Sequence, residues 1–176
     1  METKKFEVVS AESSIDWTGK KVTGAHNGTI AIKEGTLNVT DNKLNAGSFV
    51  IDTTSIQILD ITDAATNRQF ADHLFSEDFF AVEKYPEAFF DVTNVDFVSE
   101  NNYGITGDLT IKGITHPVNF PVSVNITDGK ITASGKIIVD RTKYEMKFRS
   151  GNFFTNLGDT LIYNEFELDV KLTATL

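Results

Sequence analysis

A chain of 176 residues, 40% hydrophobic and 23% charged, is about one domain's length and can bury a core without covalent staples. Its formal net charge of −9 repels the phosphate backbone and anionic membrane surfaces, so no nucleic-acid partner is expected. It has no cysteine, which excludes disulfides, thiolate metal sites and Cys nucleophiles, and no apolar run approaches the ~18–20 residues that span a bilayer.

The chain opens Met1-Glu2-Thr3-Lys4-Lys5-Phe6, with no apolar leader segment and no small-residue cleavage site. The protein is therefore expected either to be cytoplasmic or to have lost an export signal already. Period-2 alternation, the mark of a half-buried strand, begins at Ser14-Ile15-Asp16-Trp17-Thr18, with Ile15 and Trp17 on one face. It continues through residues 28–33, where Ile30 and Ile32 share a face, and 35–39. The polar cluster Asp41-Asn42-Lys43 reads as a turn, and residues 48–53 form the next strand, with Phe49 and Ile51 inward.

The run Ala64–Phe75 breaks this pattern. Phe70 and Leu74 lie four apart, as do Ala71 and Phe75, which predicts a helix. Asp63 is its N-cap, and Ser76-Glu77-Asp78 starts a further turn before Phe79-Phe80.

Alternation then resumes, placing Tyr103, Ile105, Gly107, Leu109 and Ile111 on one face. Val118, Phe120, Val122 and Val124 share the next, in a run that holds Pro117 and Pro121. Proline donates no ladder bond, so this strand is expected to be an edge or bulged there. Asp128-Gly129 marks a hairpin between Ile126 and Ile131. The last strand puts Phe166, Leu168, Val170 and Leu172 inward, with Glu165, Glu167, Asp169 and Lys171 outward. No repeat or linker appears, so residues 1–176 are read as a single domain. The fold class is all-β: an antiparallel meander of about eight strands, closing as an up-and-down barrel or a sandwich.

Six of the 14 Phe fall within 21 residues, at Phe70, Phe75, Phe79, Phe80, Phe89 and Phe90. Such a cluster is either a helix face packed on a barrel end or an aromatic plug lining a cavity. His26, His73 and His116 are the only histidines. They form no HxH or HExxH pattern, so no metal site is expected. There is no GxSxG turn and no glycine-rich phosphate loop. Asp72 and His73 are adjacent, hence about 100° apart on a helix and not paired on one face. No catalytic residue is assigned.

Four stretches in order resemble the YceI-like family of lipocalin-like, polyisoprenoid-binding proteins. They are Trp17-Thr18-Gly19 followed by His26-Asn27-Gly28; Asp72-His73-Leu74 running through Ser76-Glu77-Asp78-Phe79-Phe80 to Lys84-Tyr85-Pro86; Gly107 through Thr115; and Leu157-Gly158-Asp159 with Glu167-Leu168-Asp169-Val170. The resemblance implies a lipocalin-like barrel with a helix near one mouth and an apolar tunnel. It also implies a long-chain polyisoprenoid-type lipid (isoprenoid quinone or prenyl phenol) as bound ligand with no other cofactor, often a homodimer, and usually export to the periplasm. The expected role is non-enzymatic binding and carriage. The candidate ligand-contacting residues are Trp17, Ile30, Ile32, Phe49, Ile51, Phe70, His73, Leu74, Phe79, Phe80, Phe90, Leu109, Ile111, Phe120, Val139, Phe148 and Leu168. Residues 70–80 are expected to gate the tunnel, with Asn67, Arg68, Asp72 and Glu77 facing solvent. The alternatives are an enzyme acting on an apolar isoprenoid substrate in the same cavity, and a ligand-free barrel serving as a stress-related interaction module.

Overall fold

The computed structural model describes residues 2–151, 153, 157–158 and 161–176. In chain order the strands are β1 (Thr3–Val8), β2 (Ser14–Lys21), β3 (Gly24–Thr40) and β4 (Lys43–Ile58). The helix α1 (Ala64–Phe75) follows, then β5 (Glu87–Ser99), β6 (Asn102–Ile111), β7 (Ile114–Thr127), β8 (Lys130–Asp140) and β9 (Ile162–Thr175). β2 to β9 pair antiparallel in a closed ring, in the order β3-β2-β9-β8-β7-β6-β5-β4 and back to β3. β1 is an extra strand. It runs the same way along β3 as β2 does, with Glu7 opposite Thr36 and Ile15 opposite Ile30. β1 and β2 thus make one stave of the barrel, interrupted by the 3-10 turn Ser10–Glu12.

Tight turns set the meander. Asp41 and Asn42 both have positive φ (53° and 64°), as do Lys112 and Gly113 (56° and 74°). This is the type I′ geometry whose twist matches a two-residue hairpin. The segments at 28–33 and 35–39 are one strand, the 17-residue β3. Register shifts on its β4 side fall between Thr29 and Ala31 and between Ile32 and Glu34. A bulge shifts parity by one residue, so even-numbered Ile32 and odd-numbered Leu37 and Val39 all point inward and are buried.

The prolines of β7 behave as their chemistry requires. β7 pairs with β6 from Ile114 to Ser123, but with β8 only from Val122 to Thr127. The pair flanking a two-residue hairpin loop exchanges hydrogen bonds. Counting from Ile111 opposite Ile114, Pro117 and Pro121 fall at non-bonded positions of the β6 ladder. Their ring nitrogens turn to the side where β8 has parted from β7. Into that wedge fold residues 141–150, starting with a 3-10 turn, Arg141–Tyr144. Asp140 Oδ1 caps this turn from Thr142 N at 3.0 Å, and His116 Nε2 bonds the Lys143 carbonyl oxygen at 2.9 Å.

α1 spans the residues that the spacing indicates. Asp63 Oδ2 accepts from Thr66 N at 2.9 Å and from its hydroxyl at 2.6 Å. These bonds hold the Asp63 carboxyl below its ordinary pKa, the hydroxyl bond most of all. No residue of α1 is fully buried, so the helix lies over the barrel end and does not plug it.

Candidate functional site

The β2–β3 and β6–β7 turns, α1, residues 141–150 and the start of β9 all lie at one end of the barrel. The opposite end is closed by packed side chains. Phe6, Val39, Tyr103, Ile131 and Ala174 there are 3% exposed or less. Between the two ends is a cavity of about 400 Å³, within the ~300–1,000 Å³ typical of ligand pockets. Its wall is bordered along β9 from Ile162 to Leu172. That is roughly 34 Å of strand at ~3.4 Å per residue, or ~26 Å along the barrel axis at the usual tilt of ~40°.

Strand parity delivers most of the anticipated residues to this wall. Trp17 comes from β2, Ile30 and Ile32 from β3, and Phe49 and Ile51 from β4. Phe90 comes from β5, Leu109 and Ile111 from β6, Phe120 from β7 and Leu168 from β9. Phe70, His73 and Leu74 border the cavity from α1, Phe79 and Phe80 from the turn after it, and Phe148 from the second mouth segment. Val139 does not border the cavity. It points inward but is 1% exposed, in the packed core that Tyr144 and Met146 also join where residues 141–150 fill the wedge. Trp17 is held flat to the wall, its Nε1 donating to the Thr29 carbonyl oxygen at 3.2 Å. The ring lies against Gly28, where a Cβ would overlap both it and the Gln57 carbonyl oxygen.

The mouth is laced by polar contacts. His26 Nδ1 meets Asp60 Oδ2 at 2.8 Å, and Asn27 N donates to Asp60 Oδ1 at 3.1 Å. Partial burial works to raise the Asp60 carboxyl, but these bonds and the His26 charge outweigh it and leave the group below its ordinary range. Arg68, Asp72 and Glu77 face solvent, whereas Asn67 does not. Its Nδ2 donates to the Ile58 and Ile61 carbonyl oxygens at 2.8 and 3.0 Å. The end of β4 leaves those carbonyls without strand partners, so the amide turns in to satisfy them. Lys112 Nζ donates to the Glu77 and Glu145 carbonyl oxygens at 3.0 and 3.2 Å, joining the turn after α1 to the second segment. Its partial burial lowers its pKa.

His73 sits in an aromatic nest, 5.0 Å from the Phe79 ring and 4.5 Å from the Phe148 ring, both edge-on. Its Nε2 pairs with Asp78 Oδ2 at 3.0 Å and not with the adjacent Asp72. Among the described residues no group of three His, Asp or Glu could hold a metal. Nor is any helix among them long and apolar enough to cross a membrane.

Sequence reasoning missed Arg141. The residue borders the cavity and is 3% exposed. Nε, Nη1 and Nη2 donate to the carbonyl oxygens of Tyr163, Met146 and Ile162 at 3.0, 2.6 and 3.0 Å. Burial lowers its pKa, and Asp140 partly offsets this. The only signal in the chain was a cation placed directly after an alternating strand.

The model of the YceI-like domain matches residues 6–174. A UPF0312 protein from Photorhabdus laumondii is 35% identical over 121 residues, 69% of this chain and 57% of that protein. One from Pseudomonas putida is 47% identical over 53 residues, 30% of this chain and 28% of that protein. The matches thus span little more than half, or less, of these relatives. Among solved structures, Burkholderia cenocepacia BcnA superposes with a TM-score of 0.74 at 22% identity, covering 96% of this chain and 99% of that one. A polyisoprenoid-binding domain from Saccharophagus degradans, implicated in plant cell wall breakdown, gives 0.67 at 13% identity, with 97% of each chain covered.

Proposed function

The chain belongs to the YceI-like family, and on that premise we propose that it binds a long-chain polyisoprenoid-type lipid in its barrel and carries it chemically unchanged. The observation that carries this reading is the length of the apolar tunnel. At ~26 Å it approaches the ~30 Å hydrocarbon thickness of a whole bilayer, so it suits a long, extended apolar tail. The far end is closed, so the tail enters first and the head stays under α1. A filled barrel serving only as an interaction module would have no such interior. The enzymatic reading would need a nucleophile beside the His73–Asp78 pair, and among the described residues the His73 ring hydrogen-bonds no hydroxyl. The polyisoprenoid-binding domain from Saccharophagus degradans shares this fold.

Burial drives the binding. Each CH₂ taken from water contributes about 0.8 kcal/mol, so one five-carbon isoprene unit contributes roughly 3–4 kcal/mol before the entropy of ordering the tail is subtracted. Selectivity among tails follows length and shape. α1 and the turn after it form the gate: parting two strands breaks several ladder bonds at once, whereas α1 buries no residue fully. Native mass spectrometry of the protein as purified, beside organic extraction, tests the proposal. A co-purified prenyl chain is the expected result. Loading with geranylgeraniol that leaves Trp17 emission unchanged and adds no mass to the native ion would refute it.

A further inference from the structure

The net charge of −9 is not spread evenly over the barrel. At the closed end the β3–β4, β5–β6 and β7–β8 turns each expose an acidic residue, Asp41, Glu100 and Asp128. At the open end the β2–β3 hairpin exposes Lys20, Lys21 and Val22 and carries no acid from Gly19 to Ala25. Lys21 stands opposite Ile162 of β9, and Ile162 N donates to the Arg149 carbonyl oxygen at 2.8 Å, which brings exposed Arg149 beside the hairpin. Among the described residues neither Lys21 nor Arg149 makes an ion pair. Lys20 reaches only Glu167, at 3.8 Å, which it shares with Lys136.

The same lip exposes apolar surface. Val22, Leu59 and Tyr163 are each 47% exposed or more. They flank the hairpin: Val22 N donates to the Leu161 carbonyl oxygen at 3.2 Å, and Leu59 N to that of Asn27 at 2.9 Å. Single exposed apolar side chains are ordinary, but here three stand among cations on the rim of an opening. Lys20, Lys21, Arg149 and Tyr163 also border the cavity, where Glu165 is the one anion among the described residues, so whatever covers this lip is continuous with the tunnel. The carboxylate of Asp60 nearby is taken by His26. The acidic turn after α1 lies elsewhere: Lys112, on the β6–β7 turn, holds the Glu77 carbonyl oxygen, and in the ring of strands that turn is across from β2–β3. The mouth therefore has an acidic side and a basic, apolar side.

We propose that the basic, apolar lip docks the protein on an anionic phospholipid bilayer, with Val22, Leu59 and Tyr163 entering the interface and Lys20, Lys21 and Arg149 facing the negative surface. The net charge does not forbid this. Charges are screened over ~8 Å at physiological ionic strength, whereas the tunnel alone is ~26 Å long, so the closed-end carboxylates hardly feel a surface that the lip touches. They set the orientation, because only mouth-down docking brings cations to the membrane. Docked in this way the opening abuts the bilayer, and a tail passes into the tunnel without crossing water. The proposal rests on the lipid-carrier reading and adds the place where the lipid is collected.

The test is co-sedimentation with vesicles of phosphatidylglycerol and phosphatidylcholine in equal parts, beside vesicles of phosphatidylcholine alone. Partition into the anionic vesicles should be at least roughly tenfold stronger at low ionic strength and should weaken as salt rises. Each cation near an anionic surface contributes roughly a factor of five, so Lys21→Gln/Arg149→Gln should cut that partition about 10- to 30-fold. Val22→Asp/Leu59→Asp alters two exposed side chains that do not border the cavity. It should abolish vesicle binding yet still take up geranylgeraniol from solution, read by the emission of the single Trp17. The chain has no cysteine, so Val22→Cys, Leu59→Cys and Val98→Cys can each carry a polarity-sensitive dye. The two lip dyes should shift to the blue on anionic vesicles, and the dye at the closed-end position should not. Equal partition into both vesicles, or none into either, with Trp17 still reporting uptake, would overturn the docking surface and leave the carrier reading standing. A shift at position 98 in place of the lip would overturn it too. Lip dyes already shifted without vesicles, with a doubled mass by light scattering, would show that a second copy covers the lip, and would overturn it as well. No uptake of geranylgeraniol and no vesicle binding would overturn both readings.

Discussion

Replacing Asn67 by Ala isolates the gate from the barrel. Asn67 Nδ2 makes two bonds, to the Ile58 and Ile61 carbonyl oxygens at 2.8 and 3.0 Å, which tie the first turns of α1 to the end of β4. An intramolecular hydrogen bond contributes ~0.5–1.5 kcal/mol net, so the substitution should loosen the docking of α1 by about 1–3 kcal/mol. These carbonyls lie at the barrel rim and water can replace the lost donor, which favours the lower half of that range. If undocking of α1 admits the ligand, exchange should accelerate roughly 5- to 30-fold, since each 1.4 kcal/mol is a factor of ten. The barrel ladders do not involve Asn67, so the global urea midpoint should barely move, while amide exchange in residues 64–75 should lose protection by the same factor. Stopped-flow transfer of a fluorescent prenyl lipid, hydrogen exchange and a urea melt together decide the matter. If α1 protection falls as expected but lipid transfer keeps its rate, the helix is not the gate and entry lies elsewhere, the β7–β8 wedge being the next place to look.

Phe79 and Phe80 should separate in the same assays. Phe79 is 8% exposed in the packed core, so Phe79→Ala should cost ~3–5 kcal/mol of stability. Phe80 is only partly buried at the cavity wall, so Phe80→Ala should change exchange rate more than melting midpoint; the reverse order would mean that the two rings have swapped roles. Asp60 has a depressed carboxyl pKa in the folded state. Its contribution is therefore fully present above the unfolded value of ~3.9 and is lost as pH falls through the lower folded value. Exchange in α1 and lipid release should accelerate below about pH 4, and Asp60→Asn should flatten that acid limb; an unchanged limb would assign it to other carboxylates. Gly28→Ala drives a Cβ into the Gln57 carbonyl oxygen and the Trp17 ring. It should destabilise by about 1–3 kcal/mol and shift Trp17 emission even without ligand, and an unshifted spectrum would show that the ring does not rest there.

The barrel and its lining are written in local pattern, because side-chain parity along a strand is fixed by backbone geometry and needs no tertiary information. That is why Trp17, Phe49, Ile51, Leu109 and Leu168 reach the cavity wall, and why Asp63 and the four-residue spacings delimit α1. Parity gives the face but not the height along the barrel axis. Val139 has the right parity, yet residues 141–150 fold against that level and leave no space beside it. Bulges also lie beyond the pattern: the shifts in β3 that turn both Ile32 and Leu37 inward depend on how β4 pairs with it. Composition called Asn67 a solvent-facing residue, but the carbonyls it satisfies are orphaned only once β4 has ended and α1 has crossed the mouth. Arg141 is the sharpest case. Its neighbours in the chain include Asp140, but the sequence cannot say that the guanidinium meets only carbonyl oxygens. Whether a charge has a partner is decided by groups far apart in sequence and brought together by the closing of the sheet, so the polarity of the tunnel is a property of the tertiary structure alone.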